Sequence, residues 1–236
     1  MNLVPPAMLL TGIRLCADVM CELLIWTVSN IRWPETIGAL ASIVTAAIAF
    51  WALQTWKHQD KAKVKAEFLD ALIETAHAYI AEIHKPITLL EMSKIGMKAN
   101  EPVGKSRDAG DLLVQGAIAY INKHGEDDSK RLSEVLELIQ PNVVKLRSLA
   151  AKGQVFKFDS YEKCYSAVAT LTWHFDRLEA FMAVVGSPTW NWDHPEVLNL
   201  LNDAIAMDPE DLRASIKKNN VELLEFARLT YETTYG

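Results

Sequence analysis

The sequence predicts an all-α protein with a membrane region at its N-terminus and a helical domain after it. The run from Ile37 to Trp56 contains no charged residue. After residue 57, apolar residues recur every three or four positions, which is the period of a helix with one buried face. No stretch shows the strict two-residue alternation of a half-buried strand. Half of the 236 residues are hydrophobic. Because this excess lies mainly before residue 57, the chain combines two regions of unlike composition.

The uncharged run 37–56 has the length and composition of a transmembrane helix. Its twenty residues, at about 1.5 Å each, match a hydrocarbon core of roughly 30 Å. Small residues such as Gly38 and Ser42 would let another helix approach closely in lipid, and tryptophans near both ends suit the membrane interface. A cleaved signal peptide fits poorly, because the run is too long, starts too late and has no basic region directly before it.

Positively charged residues are concentrated on the C-terminal side of this run. Only Arg32 stands just before it, whereas four lysines follow it: Lys57, Lys61, Lys63 and Lys65. Because positive residues favour the cytoplasmic side, we expect the domain after residue 56 to lie in the cytoplasm, with the protein in the inner (plasma) membrane. The same lysines are expected to bind anionic lipid headgroups.

The segment 7–31 is mostly apolar but carries three charges at a spacing of four residues. Arg14, Asp18 and Glu22 therefore form one stripe along a helix. Three charges at about 2.5–3.5 kcal/mol each outweigh the gain from its leucines and isoleucines, at roughly 0.3–0.6 kcal/mol apiece. The segment either lies in the membrane interface with the stripe toward water, or forms the first arm of a hairpin in which Arg14 pairs with Asp18. We favour the hairpin, which makes residues 1–56 one membrane region.

Beyond the membrane region, the pattern predicts three further parts. A stalk helix continues from the membrane over 57–95, and Pro86 is expected to end or kink it. The polar stretch 96–111 contains glycine and proline and predicts an exposed loop. Residues 112–236 predict a helical bundle.

Glycines, prolines and a capping sequence predict the helix boundaries within that bundle. Asp159 and Glu162 have the spacing of a capping box. Helix ends are predicted at Gly125, Gly153 and Gly186, and helix starts at Pro195 and Pro209. The helix that begins at Pro209 is predicted to carry Leu212 and Ile216. A separate last helix is predicted to bury Val221, Leu224, Ala227 and either Leu223 or Phe226.

The sequence carries few residues in the patterns of catalytic or ligand-binding motifs. The sequence has no glycine-rich phosphate loop, no zinc-protease motif and no nucleophile elbow. His77 and His84 make an incomplete metal site. The one His/Asp cluster is His174 with Asp176, near Asp193 in sequence, but residues two apart point to different sides of a helix. We therefore expect that the protein is not an enzyme and that it holds no cofactor and no metal. An enzyme acting at the membrane surface is the least favoured alternative.

Two tryptophans in one loop are the candidates for partner binding. Trp190 and Trp192 lie beside Asp193, where paired tryptophans usually fold back as a lid on a core but also resemble the anchors of protein interfaces. Nucleic-acid binding is not expected, because the net charge is −6 and no basic stripe marks the domain. The three cysteines do not form a disulfide framework.

The first 85 residues or so resemble a loose class of small bacterial inner-membrane proteins. The features shared are N-terminal membrane helices, a W-K-x-Q-x-K-x-K sequence and an amphipathic F-L-x-x-L-I helix. The residues concerned are Trp56, Lys57, Gln59, Lys61, Lys63, Phe68, Leu69, Leu72 and Ile73. The class includes two-transmembrane effectors of some retron anti-phage defence systems and has no catalytic motif to carry over. The resemblance implies an effector that a partner holds silent and that perturbs the inner membrane when released.

Two non-enzymatic functions follow from these observations. The first is the membrane effector, whose cytoplasmic domain binds a regulatory protein and whose membrane helices associate into homo-oligomers. The alternative is an anchor or scaffold that localises a partner protein to the membrane. Membrane lipids and a cytoplasmic protein are the expected partners in both.

Overall fold

The computed structural model describes residues 33–103 and 109–235. The predicted stripe of Arg14, Asp18 and Glu22, and the choice between a hairpin and an interfacial helix for 7–31, lie outside the described residues. The described part is all-helical and contains no β-strand, as the sequence predicted. The helices are α1 (Trp33–Ala99), α2 (Ala109–Gly153), a short 3₁₀ helix (Gln154–Phe156), α3 (Tyr161–Val185), α4 (Pro195–Ala206) and α5 (Pro209–Tyr235).

The chain divides into two units, with the division between Asp60 and Lys61. In the first unit, the residues described from Ile37 onward are all exposed. By length and composition, α1 is the one described helix that could cross a membrane.

The hydroxyl groups of the apolar run are satisfied within their own helix. The hydroxyls of Ser42, Thr45 and Thr55 donate to the backbone carbonyls four residues earlier, over 2.8 to 2.9 Å. Because the bilayer core holds no water to bond them, internal partners are what a spanning helix requires.

The second unit, Lys61–Gly236, has a core to which all five helices contribute. α3 packs against α2 and α5, and Tyr79 of α1 donates a buried 2.5 Å hydrogen bond to the carbonyl of Leu171 in α3. The predicted faces of α1 and α3 are largely buried as expected. The fully buried residues on these faces are Phe68, Leu69, Leu72, Ala76, Tyr79, Ile83, Cys164, Val168, Leu171, Phe175, Leu178 and Val185.

α1 does not form a stalk separate from this core, and it is longer than predicted. The helix continues through Pro86 to Ala99, because Ile87 and Leu90 extend its buried face and this burial offsets the hydrogen bond that proline cannot donate. The predicted loop 96–111 is correspondingly shorter, since Met97 is buried within α1 and α2 already begins at Ala109.

Two of the predicted boundary signals are wrong. Gly125 does not end a helix, because α2 runs unbroken to Gly153 and an added Cβ at Gly125 would lie 2.2 Å from the carbonyl oxygen of Val185. The absence of a side chain at Gly125 therefore permits close packing of α2 on α3. The capping box is absent, because α3 is preceded by Ser160, whose side chain makes no capping hydrogen bond.

The remaining predicted ends are confirmed, and the buried face of α5 is corrected. α3 closes at Gly186, and α4 and α5 begin at Pro195 and Pro209. α5 is one continuous helix from Pro209 to Tyr235, where two helices were predicted. Its buried apolar side chains are those of Leu212, Ile216, Leu223, Phe226 and Ala227, whereas Val221 and Leu224 are exposed. The prediction counted only apolar residues. Asn219 and Thr230 also lie on the buried face, where each donates to a carbonyl of its own helix.

Candidate partner-binding groove

The most exposed aromatic side chain of α3 is Trp173. The buried residues of α3 follow a repeat of three and four that includes Leu171 and Phe175, and Trp173 falls between them on the outer face, 53% exposed. The guanidinium of Arg177 lies over its ring, 4.9 Å from the ring centre. This stacking orders both side chains at the surface.

Trp173 lines an apolar groove between α3 and α4. The groove has a volume of about 540 Å³. Its wall on α4 includes Leu200, which is 46% exposed. Arg177 and Asp203 place one charge of each sign along it. An apolar cleft with a few charged groups has the composition of a recognition site.

A second groove lies on the other side of Trp173, between α2 and α3. It has a volume of about 720 Å³, and Tyr165 also lines it. Its wall is fixed by Arg147, which reaches both carboxylate oxygens of Asp176 at 2.7 Å and the carbonyl of Thr172 at 3.3 Å. Trp173 therefore stands between two clefts.

The two loop tryptophans, Trp190 and Trp192, have different surroundings. Both are partly buried and pack against the core, with ring centres 6.1 Å apart. Trp190 also lines the groove between α3 and α4. The indole nitrogen of Trp192 is buried without a hydrogen-bond partner.

The His/Asp cluster does not converge on one site. His174 is 3% exposed and its Nε2 lies 2.8 Å from the hydroxyl of Ser215 on α5. Asp176 faces Arg147 on α2 instead, as the two-residue spacing predicted. Asp193 is exposed in the loop before α4, and the groove that Asp176 lines includes neither His174 nor Asp193.

Burial sets the protonation of two side chains in α3. Burial, and to a smaller degree the charge of Arg177, lower the pKa of His174 to about 4, so the ring is neutral at pH 7. Its Nδ1 is buried without a hydrogen-bond partner. Burial raises the pKa of the Cys164 thiol to about 12, so this cysteine is a poor nucleophile.

His77 and His84 are both exposed on α1. Within residues 33–103 and 109–235, no three metal-ligating side chains form a cluster.

The basic residues after the apolar run remain accessible. Lys57, Lys61 and Lys63 are exposed, and Lys63 forms a 3.9 Å ion pair with Glu67 that is itself exposed. The ammonium group of Lys65 is different, because it lies over the ring of Phe158, 5.3 Å from its centre.

Sequence reasoning missed Trp173 and Arg177, although a signal was present. A tryptophan out of register with the buried repeat of its helix must face outward, and an arginine four residues later shares that face. The fact that Leu200 and Trp190 complete the groove could not be inferred, because the packing of α4 on α3 is a long-range contact.

Comparison with known proteins gives no relative: no protein family, curated protein or solved structure matches this chain.

Proposed function

We propose that this chain is a membrane-anchored, non-enzymatic protein whose cytoplasmic helical domain binds a partner protein through the groove at Trp173. The observation that carries the proposal is the exposed Trp173 with Arg177 stacked on it, between two clefts. Tryptophan and arginine are the residue types that most often dominate the free energy of protein interfaces.

The anchor is the apolar part of α1. Its internally bonded hydroxyls and uncharged surface suit hydrocarbon. The accessible lysines after residue 56 support an orientation with the helical domain in the cytoplasm, next to an inner membrane rich in anionic lipid.

The groove between α3 and α4 favours an amphipathic segment as its ligand. An apolar side chain would fill the space beside Trp173 and Leu200, and an acidic side chain would reach Arg177 at the rim. A helix laid into such a cleft uses apolar anchors three and four residues apart.

Trp173→Ala tests this site. We expect the full chain, isolated from its native membranes by mild detergent, to retain one protein partner in the wild type and to lose it in the variant. The loss should be at least tenfold, because Trp173 is an exposed side chain whose removal leaves the core intact. Val144→Ala is the control, since Val144 is 60% exposed on α2 and lines neither cleft. Equal recovery from both variants, with unchanged melting temperatures, would exclude the groove as the binding site.

The effector of an anti-phage defence system is the second candidate, and it is favoured by the surface of the apolar run. Gly38 has open space around the position of an added Cβ, and small residues of this kind let membrane helices associate closely. In this proposal the partner holds the helical domain until release permits the membrane helices to rearrange. Expression without the partner should then collapse the membrane potential, and normal growth would contradict it.

Exchanging the anchor separates the two candidates. In this experiment the domain from residue 57 onward is joined to an unrelated single-span helix. If the protein is a scaffold, the chimera should still recruit its partner and function. An effector should bind the partner but lose its action on the membrane.

A further inference from the structure

The turn between α2 and α3 presents an aliphatic side chain to solvent on a rigid support. Phe156 and Phe158 pack inward against Phe68 of α1. The ring centre of Phe68 lies 5.2 Å from that of Phe156 and 5.4 Å from that of Phe158. Val155 consequently faces outward, and it is 78% exposed. This inward packing of alternate residues fixes which side chains the turn displays.

The backbone of this turn adopts a conformation that its residues disfavour. Lys157 and Ser160 have φ values of 51° and 57°, in the left-handed region that residues with a Cβ rarely enter. The aromatic cluster holds them there, together with a 2.6 Å hydrogen bond from the Tyr161 hydroxyl to the carbonyl of Ala150. The exposed part of the turn is therefore preorganised.

A groove of about 670 Å³ lies beside this turn, and two lysines are among the residues that line it. Lys157 and Lys163 contribute ammonium groups, and Gln154 and Ser160 contribute uncharged polar groups. The carboxylate of Glu162 also lines the groove. Lys65 adds a third ammonium group close by, since it lies over Phe158, which is itself part of the groove wall.

Lys65 belongs to the group of lysines that follows the apolar run, nine residues after Trp56. Positive residues at this position in a sequence favour the side of the membrane that carries anionic lipid.

We propose that this turn is a second membrane contact, in which the lysine-lined groove binds the phosphate of an anionic phospholipid and Val155 enters the acyl boundary. The net charge at the groove is positive, because Lys65, Lys157 and Lys163 outnumber Glu162 and the neighbouring exposed Asp159, and a positive charge complements an anionic headgroup. Segments that bind in the membrane interface combine apolar side chains with lysines in this way. The contact rests on the proposed membrane anchoring, and it would fix how the helical domain faces the bilayer.

The test uses the full chain in lipid nanodiscs with an environment-sensitive fluorophore at position 155. Cys16 and Cys21 are replaced by serine, and Cys164 is retained because it is buried and unreactive. The label on Val155→Cys should shift to the blue as phosphatidylglycerol rises from none to 40% in phosphatidylcholine. The emission of the same label on Met92→Cys should not shift. Met92 is exposed on α1, and it lies 24 residues after Phe68, the residue on which the turn packs.

Matched charge variants identify the groove. Lys157→Gln with Lys163→Gln should remove at least three quarters of the shift, whereas Lys130→Gln with Lys217→Gln, exposed elsewhere, should leave it unchanged. A label that reports water at every lipid composition, in chains that do enter nanodiscs, overturns this contact alone. Chains that fail to enter nanodiscs overturn the anchoring and the contact with it. A shift that grows with protein concentration in neutral detergent would place a second copy on the turn and overturn the lipid assignment.

Discussion

Gly125 shows how a single missing side chain sets the distance between two helices. The carbonyl oxygen of Val185 occupies the place that a Cβ would need, at 2.2 Å. We expect Gly125→Ala to lower the free energy of unfolding by about 1–3 kcal/mol, because α2 and α3 must move apart. This is opposite in sign to the intrinsic helix preference, which favours alanine by about 1 kcal/mol.

Gly110→Ala is the control for this prediction. Gly110 lies in the same helix but has no atom within 4 Å of its added Cβ, so alanine there should stabilise the protein slightly or leave it unchanged. Chemical denaturation of the full chain in detergent measures both. Equal effects at the two positions would mean that α2 and α3 are not in close contact at Gly125.

His174 makes the stability of the helical domain depend on pH. Its pKa is about 4 in the folded state and about 6.5 in an unfolded chain. Above pH 6.5 the ring is neutral in both states and contributes nothing. As the pH falls from 6.5 to 4, only the unfolded chain takes up the proton, so the folded state loses stability.

His174→Gln isolates this contribution, because glutamine does not titrate and can still bond to Ser215. We expect the melting temperature of the wild type to fall more steeply than that of the variant between pH 6.5 and 4. Parallel curves would show that His174 is accessible to protons in the folded state.

Within α1, a charged residue near the middle of the uncharged run should prevent insertion into the membrane. Ala46→Arg places a guanidinium near the middle of that run, where insertion costs about 2.5–3.5 kcal/mol. The variant should leave the membrane fraction. Gln59→Arg, three residues past the run, should stay in it. If Ala46→Arg remained fully membrane-bound after alkaline extraction, the span would have to lie elsewhere.

Local signals predicted some elements and tertiary contacts decided others. Pro195 and Pro209 begin helices because a proline at the first position lacks only an N–H that would be unpaired anyway. This signal can be recognised in the sequence alone. Gly125 and Pro86 are weak helix formers that nevertheless lie inside long helices. The packing partner of Gly125 is Val185, sixty residues later, so no local pattern could reveal that α2 continues. At Pro86, the burial of Ile87 and Leu90 outweighs the local effect of the proline.

For the whole molecule, the core around α3 is the part on which folding depends. Val168 is 1% exposed in that core, so Val168→Asp buries a carboxylate without a partner and should cost about 3–5 kcal/mol. The neighbouring Ala169→Asp adds the same charge at an exposed position. We expect the melting temperature to fall sharply for Val168→Asp and little for Ala169→Asp. An unchanged melting temperature for Val168→Asp would mean that the core face of α3 is misassigned.

The candidate site was less predictable than the fold. The sequence pointed to Trp190 and Trp192 because two tryptophans in a loop are conspicuous, and of these only Trp190 lines the groove. The groove itself is formed where α4 meets α3, so its depth and its apolar wall depend on an arrangement that no single segment encodes.

The attachment of α4 has a consequence for motion. This twelve-residue helix forms one wall of the groove. The residue directly after it, Met207, is linked to α1, because the ammonium of Lys94 donates to the carbonyl of Met207 at 2.5 Å. Few of the helix's own residues are buried. A short helix held in this way opens at a lower free energy than the core. Its backbone amides should therefore exchange with deuterium well before those of α3, and an occupied groove should slow that exchange.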